Sequence, residues 1–284
     1  MIPVEEAYAR CAAITATQAR NFSYGIRLLP EEKRWAMSAL YAFARRVDDI
    51  GDGVLPAAEK LDQLAALRGL VARAAAGAPD RDDPVAVALA DALARFAVPS
   101  DALCELIAGC EMDCRQQRYE TYDELVVYCR RVAGTVGRCS LGIFGSTDPG
   151  NAPALADTLG IALQVTNILR DLVEDRDVMG RVYLPAEDLR RFGVSEDLRG
   201  PREALAGVVR FEAGRAEAAF AEGLELLALL DRRSRACVAA MAGIYHRLLR
   251  RIEADPLAVF GGRLSLPSVE KAWVAARSLA GAGA

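Results

Sequence analysis

Apolar residues recur along this chain at steps of three and four, and no segment shows the two-residue alternation of a strand. That spacing predicts helices from end to end and no sheet. The first spans Val4–Gln18 and leads into Arg20-Asn21-Phe22-Ser23-Tyr24. Pro30 opens the next, whose apolar line passes through Trp35, Met37, Leu40, Tyr41 and Ala44 and stops near Gly51 and Gly53. A third is predicted over 56–76, with Leu61, Leu64, Leu67, Leu70 and Val71 on one side, and a fourth over 85–96. Further helices read at about 101–118, 122–145, 150–176, 202–230, 232–253 and 267–280. The polar stretch 77–83 reads as an exposed loop, too short for a domain linker, so residues 1–284 form a single all-α domain. Residues 180–185, running from Gly180 to Pro185, form an irregular connection beside which function is expected.

Two of these helices carry a polar line through apolar surroundings. Tyr41, Arg45, Asp48 and Asp52 form one line, and Gln164, Asn167, Asp171 and Asp175 form the other. Steps of three, four and seven keep each set on one helical face. A single pair of acids one turn apart says little, because 39 acidic residues in 284 positions generate about five such pairs by chance. Three features point beyond chance. Aspartate is a poorer helix former than glutamate, so its clustering suggests a demand for short, rigidly placed carboxylates. The lines continue into Arg45, Gln164 and Asn167, which suit an anion or a ligand. Their flanks are apolar: Leu40, Phe43 and Val47 in one helix, Ile161, Leu163, Val165, Ile168 and Leu169 in the other. Such lines face an interior cleft, and two opposed rows of acids would cage Mg²⁺ together with the anion it carries, a diphosphate. Metal charge would then stabilise a departing diphosphate and leave a carbocation. Arg20, Arg45, Arg170 and Arg181 can complete the diphosphate contacts, with Arg170 equally suited to a structural ion pair.

Composition narrows the picture further. The chain is 52% hydrophobic with a net charge of −4 and no basic tract, which argues against nucleic acid as a partner. No uninterrupted apolar run approaches the roughly 18 residues of a membrane span. Glu5, Glu6 and Arg10 make the N-terminal segment unlike a secretory leader, so a cytoplasmic protein is expected. Seven cysteines form no CxxC pair, and Cys110 and Cys114 stand one turn apart with the single histidine, His246, far away in sequence. Free buried thiols are therefore expected rather than a zinc site. Acid–base work falls to carboxylates, tyrosines or the substrate, and His246 is expected to pack or to face solvent.

At these residues the chain resembles the squalene and phytoene synthase family of trans-isoprenyl diphosphate synthases. Tyr41-Ala42-Phe43-Ala44-Arg45-Arg46-Val47-Asp48-Asp49-Ile50-Gly51-Asp52 is similar to the first aspartate motif of that family, and Gln164 through Asp175 to the second. Tyr128 through Gly137 matches its central tyrosine and small-residue helix, and Arg181-Val182-Tyr183-Leu184-Pro185 matches the segment after the second motif. The resemblance runs in order from about residue 8 to 275. It implies an isoprenoid-synthase helical bundle around a central cavity, in which two prenyl diphosphates are joined head to head. It further implies that Asp48, Asp52, Asp171 and Asp175 hold Mg²⁺, with Asp49 and Asn167 assisting. Arg20, Arg45 and Arg263 would contact diphosphate, with Gln164, Arg181 and Tyr183 beside it. Tyr41, Tyr128 and Tyr245 would line the reaction centre, and Phe22 would wall the chain-binding tunnel.

Two departures from the family pattern are Asn21, where many relatives carry serine, and Ala44, where cysteine is usual. Residues 19–30 together with Arg46 to Gly53 look most like actinobacterial presqualene diphosphate synthases of the hopanoid pathway. That resemblance implies condensation of two farnesyl diphosphates, stopping at the cyclopropyl diphosphate. The alternative is a phytoene or dehydrosqualene synthase. A terpene cyclase fits less well, because its second motif is usually an Asn/Ser/Glu triad, and a non-enzymatic helical scaffold fits least. Hydrocarbon substrates also suggest loose peripheral contact with a membrane, through a tunnel mouth that no segment identifies.

Overall fold

The structure is a computed structural model that describes residues 2–19 and 21–281. Every regular element among them is helical. The N-terminal half comprises α1 (Val4–Gln18), α2 (Phe22–Ile26), α3 (Glu31–Asp52), α4 (Ala57–Ala75), α5 (Pro84–Arg95) and α6 (Ser100–Cys114). Then follow α7 (Tyr122–Cys129), α8 (Thr135–Phe144), α9 (Ala152–Asp177) and α10 (Ala186–Phe192). The chain closes with α11 (Arg202–Gly223), α12 (Arg232–Ala254) and α13 (Ser268–Leu279). Prolines start many of them: Pro30, Pro56, Pro99, Pro185, Pro201 and Pro267 each stand just before a helix. Proline's fixed φ and missing N–H suit that position. Asp83 and Asp231 cap α5 and α12 by accepting hydrogen bonds from two backbone N–H groups each.

The helices depart from the predicted pattern at a local backbone turn and at two close helix crossings. The helix expected over 101–118 ends at Cys114, because Gln116 turns the chain with a left-handed φ of 51°. The helix expected over 122–145 is interrupted by a π-helical turn, Arg130–Gly134, where it crosses α9 at backbone distance. The helix expected over 202–230 tightens into a 3₁₀ segment, Leu224–Leu229, after Gly223 presses on the backbone of Leu159. Helices α2 and α10, of five and seven residues, are too short for periodicity to reveal.

Helix α9 is the hub. It packs against α8, α11, α12 and the π turn, while α3 packs on α1, α5, α6 and α8. Among the described residues α9 alone is long and apolar enough to cross a membrane, yet 56% of its most apolar stretch is buried inside the protein. It is a core helix. At the N-terminal end of α3, Lys33 Nζ donates to Phe144 O (2.7 Å), Asp231 Oδ2 (2.7 Å) and Ser234 Oγ (3.1 Å), pinning α3 to α8 and α12.

Away from the centre, Arg215 reaches two carboxylates, Asp188 (2.5 Å) and Glu212 (2.8 Å), with its guanidinium over the Tyr122 ring at 4.1 Å. Glu212 is fully buried and its Oε2 meets no donor. Burial, followed by the Asp188 carboxylate alongside, pushes the Glu212 carboxyl up to about 7 although Arg215 opposes the shift. A folded-state value raised above the unfolded 4.5 stabilises the fold fully only below that value, and this contribution is lost as the pH rises through 7. Glu212→Gln is therefore expected to remove that loss, gaining more in melting temperature at pH 8 than at pH 5. An equal change at both pH values in thermal unfolding would show that Glu212 does not titrate in the folded protein.

Candidate active site

Helices α3 and α9 both line a cavity of about 580 Å³, and each changes character along its length. From α3 come Met37, Leu40, Tyr41 and Ala44, then Arg45, Asp48 and Asp52. From α9 come Ala156, Leu159, Gly160 and Leu163, then Gln164, Asn167, Asp171, Glu174 and Asp175. Both helices turn from apolar to charged toward their C-terminal ends. The cavity therefore has a hydrocarbon end, with Leu141, Phe144, Leu226 and Val238 on its walls, and an anionic end. Two helix C-termini add negative partial charge there, which favours cations.

Arginines counter the acids at this end. Arg181 Nη1 donates to Asp52 Oδ1 (2.8 Å) and Nη2 to Gly51 O (3.0 Å), tying the segment after α9 to the end of α3. Arg263 Nε lies 3.1 Å from Asp171 Oδ1, and Arg263 Nη1 lies 3.4 Å from Glu174 Oε2. Arg170 Nε also donates to Asp171 Oδ1 at 2.8 Å, so this residue both lines the cavity and makes the structural ion pair.

Three carboxyls stay short of compensation. Asp48 is open to the solvent of the cavity but crowded by protein, and desolvation followed by the Asp52 charge pushes it up to about 7. Asp175 is pushed up to about 7 by burial and then by Asp171. Asp113 rises to about 6 through burial, against the pull of Arg181 and two tyrosine hydroxyls. Carboxyls that resist ionisation in a row are what an added cation would relieve.

Asp113, on α6, is the site residue that the sequence reading missed. Its Oδ2 accepts from Tyr128 Oη (3.0 Å) and its Oδ1 from Tyr183 Oη (2.8 Å). The two rings stack with centroids 5.0 Å apart, and Tyr119 stacks on Tyr183 behind them. Burial and then the Asp113 charge hold Tyr128 and Tyr183 well above the ordinary phenol range, so both remain neutral phenols. An available signal was an aspartate set between the buried Met112 and Cys114, but a single residue makes no stripe.

Of the residues singled out from sequence, Phe22, Tyr41, Arg45, Asp48, Asp52, Tyr128, Gln164, Asn167, Asp171, Asp175, Arg181, Tyr183 and Arg263 all line the cavity. Asp49 does not. One residue on from Asp48, it is rotated about 100° around the helix, and it pairs with Arg45 at 2.5 Å on the outer side. Tyr245 is also absent from the lining: it is buried against Phe22, ring centroids 5.9 Å apart. It supports the wall. Arg20 lies outside the described residues. His246 pairs with Glu217 at 2.7 Å, and Cys110 Sγ donates to Val47 O at 3.3 Å.

The donor set fits Mg²⁺. No three His, Cys, Asp or Glu side chains converge on one point among the described residues. Mg²⁺ commonly takes only one or two carboxylates, completing its shell with water and substrate phosphate. Asn167 Oδ1 is buried without a hydrogen-bond partner beside Asp171, an oxygen free to accept. Arg45 Nε is likewise an unused donor at the anionic end.

An all-helical bundle enclosing a cavity that is hydrocarbon at one end and built for diphosphate at the other defines a prenyltransferase of the isoprenoid-synthase fold. The squalene/phytoene synthase family model matches residues 15–270, and the chain belongs to that family. It is 48% identical over 286 residues to a phytoene synthase of Mycobacterium tuberculosis, covering 99% of this chain and 93% of that protein. The crystal structure of a dehydrosqualene synthase in complex with ligand superposes with a TM-score of 0.88 at 28% identity, covering 98% of this chain and 96% of that one. That of a squalene synthase from Alicyclobacillus acidocaldarius gives 0.82 at 30% identity, covering 93% and 98%. Head-to-head condensation of prenyl diphosphates is the chemistry of this family.

Proposed function

We propose that this chain is a phytoene synthase, condensing two C20 prenyl diphosphates (geranylgeranyl diphosphate) head to head. The observation that carries the reading is the 48% identity, across nearly the whole of both chains, to a protein named phytoene synthase. It favours this reading over the expectation of a C15 substrate and a reaction stopping at presqualene diphosphate. That expectation rested on two short segments, residues 19–30 and 46–53. Of these, Asp48 and Asp52 belong to the anionic end, where C15 and C20 substrates look alike. The small side chains Ala133, Gly137, Ala156, Gly160 and Ala242 on the cavity wall leave room for long chains.

Asp48, Asp52, Asp171 and Asp175, with Asn167 Oδ1, would hold Mg²⁺. When bound, the metal supplies positive charge that stabilises the leaving diphosphate. The chain's own groups do the rest. Arg45, Arg181 and Arg263 bind phosphate oxygens, exchanging their carboxylate partners for the substrate. Tyr41 and Tyr128 present ring faces to the allylic cation. Asp113 fixes the Tyr128 and Tyr183 hydroxyls and so sets the orientation of both rings. The apolar walls exclude water, leaving the double bond of the second substrate as the available nucleophile.

Incubation with farnesyl or geranylgeranyl diphosphate and Mg²⁺, with and without NADPH, tests the reading by product identification. Phytoene from the C20 substrate without NADPH is expected. Presqualene diphosphate or squalene from the C15 substrate, with no C40 product, would restore the presqualene diphosphate synthase reading.

A further inference from the structure

Helix α13 has an outer apolar stripe that prenyl transfer leaves unexplained. Its inner face, with Val274, Ala275 and Ser278, is buried on α12, so tightly that a Cβ on Gly243 would lie 3.0 Å from a Val274 methyl. On the opposite face Val269, Ala272, Trp273, Ala276 and Ala280 are exposed at steps of three and four. Val269 is 81% and Trp273 46% exposed. The indole is flanked by two guanidiniums, Arg247 at 4.6 Å and Arg277 at 4.7 Å from the ring. Arg247 and Arg251 share one carboxylate, Glu270, so the rim stays positive on a chain of net charge −4.

We propose that this face of α13 docks on an anionic lipid bilayer. An amphipathic tryptophan between arginines, on an exposed apolar stripe, matches the boundary between lipid headgroups and acyl chains. Charge complementarity selects anionic headgroups. The placement also suits the cavity: α13 packs on α12 and α2, which contribute Val238, Met241, Phe22 and Ile26 to its wall. Docking would set that wall about one helix diameter, some 10 Å, from the bilayer.

The test is co-sedimentation of the full chain with vesicles of phosphatidylcholine alone or mixed with phosphatidylglycerol. Binding to the mixed vesicles that weakens with salt is expected, and Val269→Glu or Trp273→Glu should weaken it about tenfold. Both variants change exposed positions and should retain prenyl-transfer activity on detergent-dispersed substrate. Failure to bind anionic vesicles, or undiminished binding by both variants, overturns the proposal. So does ultracentrifugation showing a lipid-free dimer that Trp273→Glu dissociates, because the stripe would then cover a second copy. No turnover is needed for binding, so failure here leaves the phytoene synthase reading standing.

Discussion

Asp48→Asn and Asp171→Asn are each expected to lower kcat/KM by about 10²–10³-fold while leaving the helical content unchanged. Asparagine keeps the shape of aspartate and removes the charge, so the change isolates electrostatics. Both side chains face the cavity; Asp48 takes no part in the buried packing, whereas Asp171 also pairs with Arg170, so thermal unfolding of Asp171→Asn is read beside its kinetics. The loss should therefore fall on diphosphate departure and not on folding. Asp49→Asn is the internal control. It leaves the neighbouring Asp48 untouched and removes only an outer partner of Arg45, so a change of less than about fivefold is expected, the scale of an exposed ion pair. Steady-state kinetics at saturating Mg²⁺, paired with circular dichroism, reads both effects. Normal turnover in Asp48→Asn and Asp171→Asn would dissolve the anionic end as a metal site. Equal damage from Asp49→Asn would mean that the helix presents a different face to the substrate.

The second large effect concerns the crossing of α9 with the π turn. Helix propensity alone predicts that Gly160→Ala stabilises α9 by about 1 kcal/mol. The structure reverses the sign. A Cβ at residue 160 would lie 2.6 Å from Gly134 N and 2.7 Å from Ala133 O, and backbone atoms cannot rotate away. Overpacking of that kind costs about 1–3 kcal/mol, and turnover should fall with it because Gly160 and Ala133 both line the cavity. Gly214→Ala on α11, where nothing lies within 4 Å of the added carbon, should instead stabilise by about 0.5–1 kcal/mol. Thermal or denaturant unfolding of the two variants should move in opposite directions. Parallel shifts would mean that α9 and the π turn do not cross at backbone distance.

The same crossing shows why part of the fold was legible in sequence and part was not. Long helices such as α3, α9 and α12 declare themselves through a repeating face, and their prolines and caps mark the starts. The interruption at Arg130–Gly134 leaves no local trace, because its cause is α9, about thirty residues away. The site divides in the same way. The two aspartate lines were readable because each lies on one helix, where spacing fixes direction. Asp113 was not, since its partners Tyr128 and Tyr183 stand 15 and 70 residues along the chain. Asp49 and Tyr245 fall outside the cavity lining for a related reason: a motif names neighbours in sequence, whereas a cavity selects by angle and depth.

The sequence by itself therefore determined the all-helical architecture, the two acidic lines and the family chemistry of diphosphate release. The first two follow from local periodicity and residue type, and the third from a resemblance carried by motifs in order along the chain. Only the tertiary structure decided which of the acids share one cavity and which arginines counter them. It also showed how Asp113 orients the tyrosines and where α13 leaves an apolar face uncovered. Each of these depends on distances between segments far apart in the chain, and packing rather than spacing sets those distances.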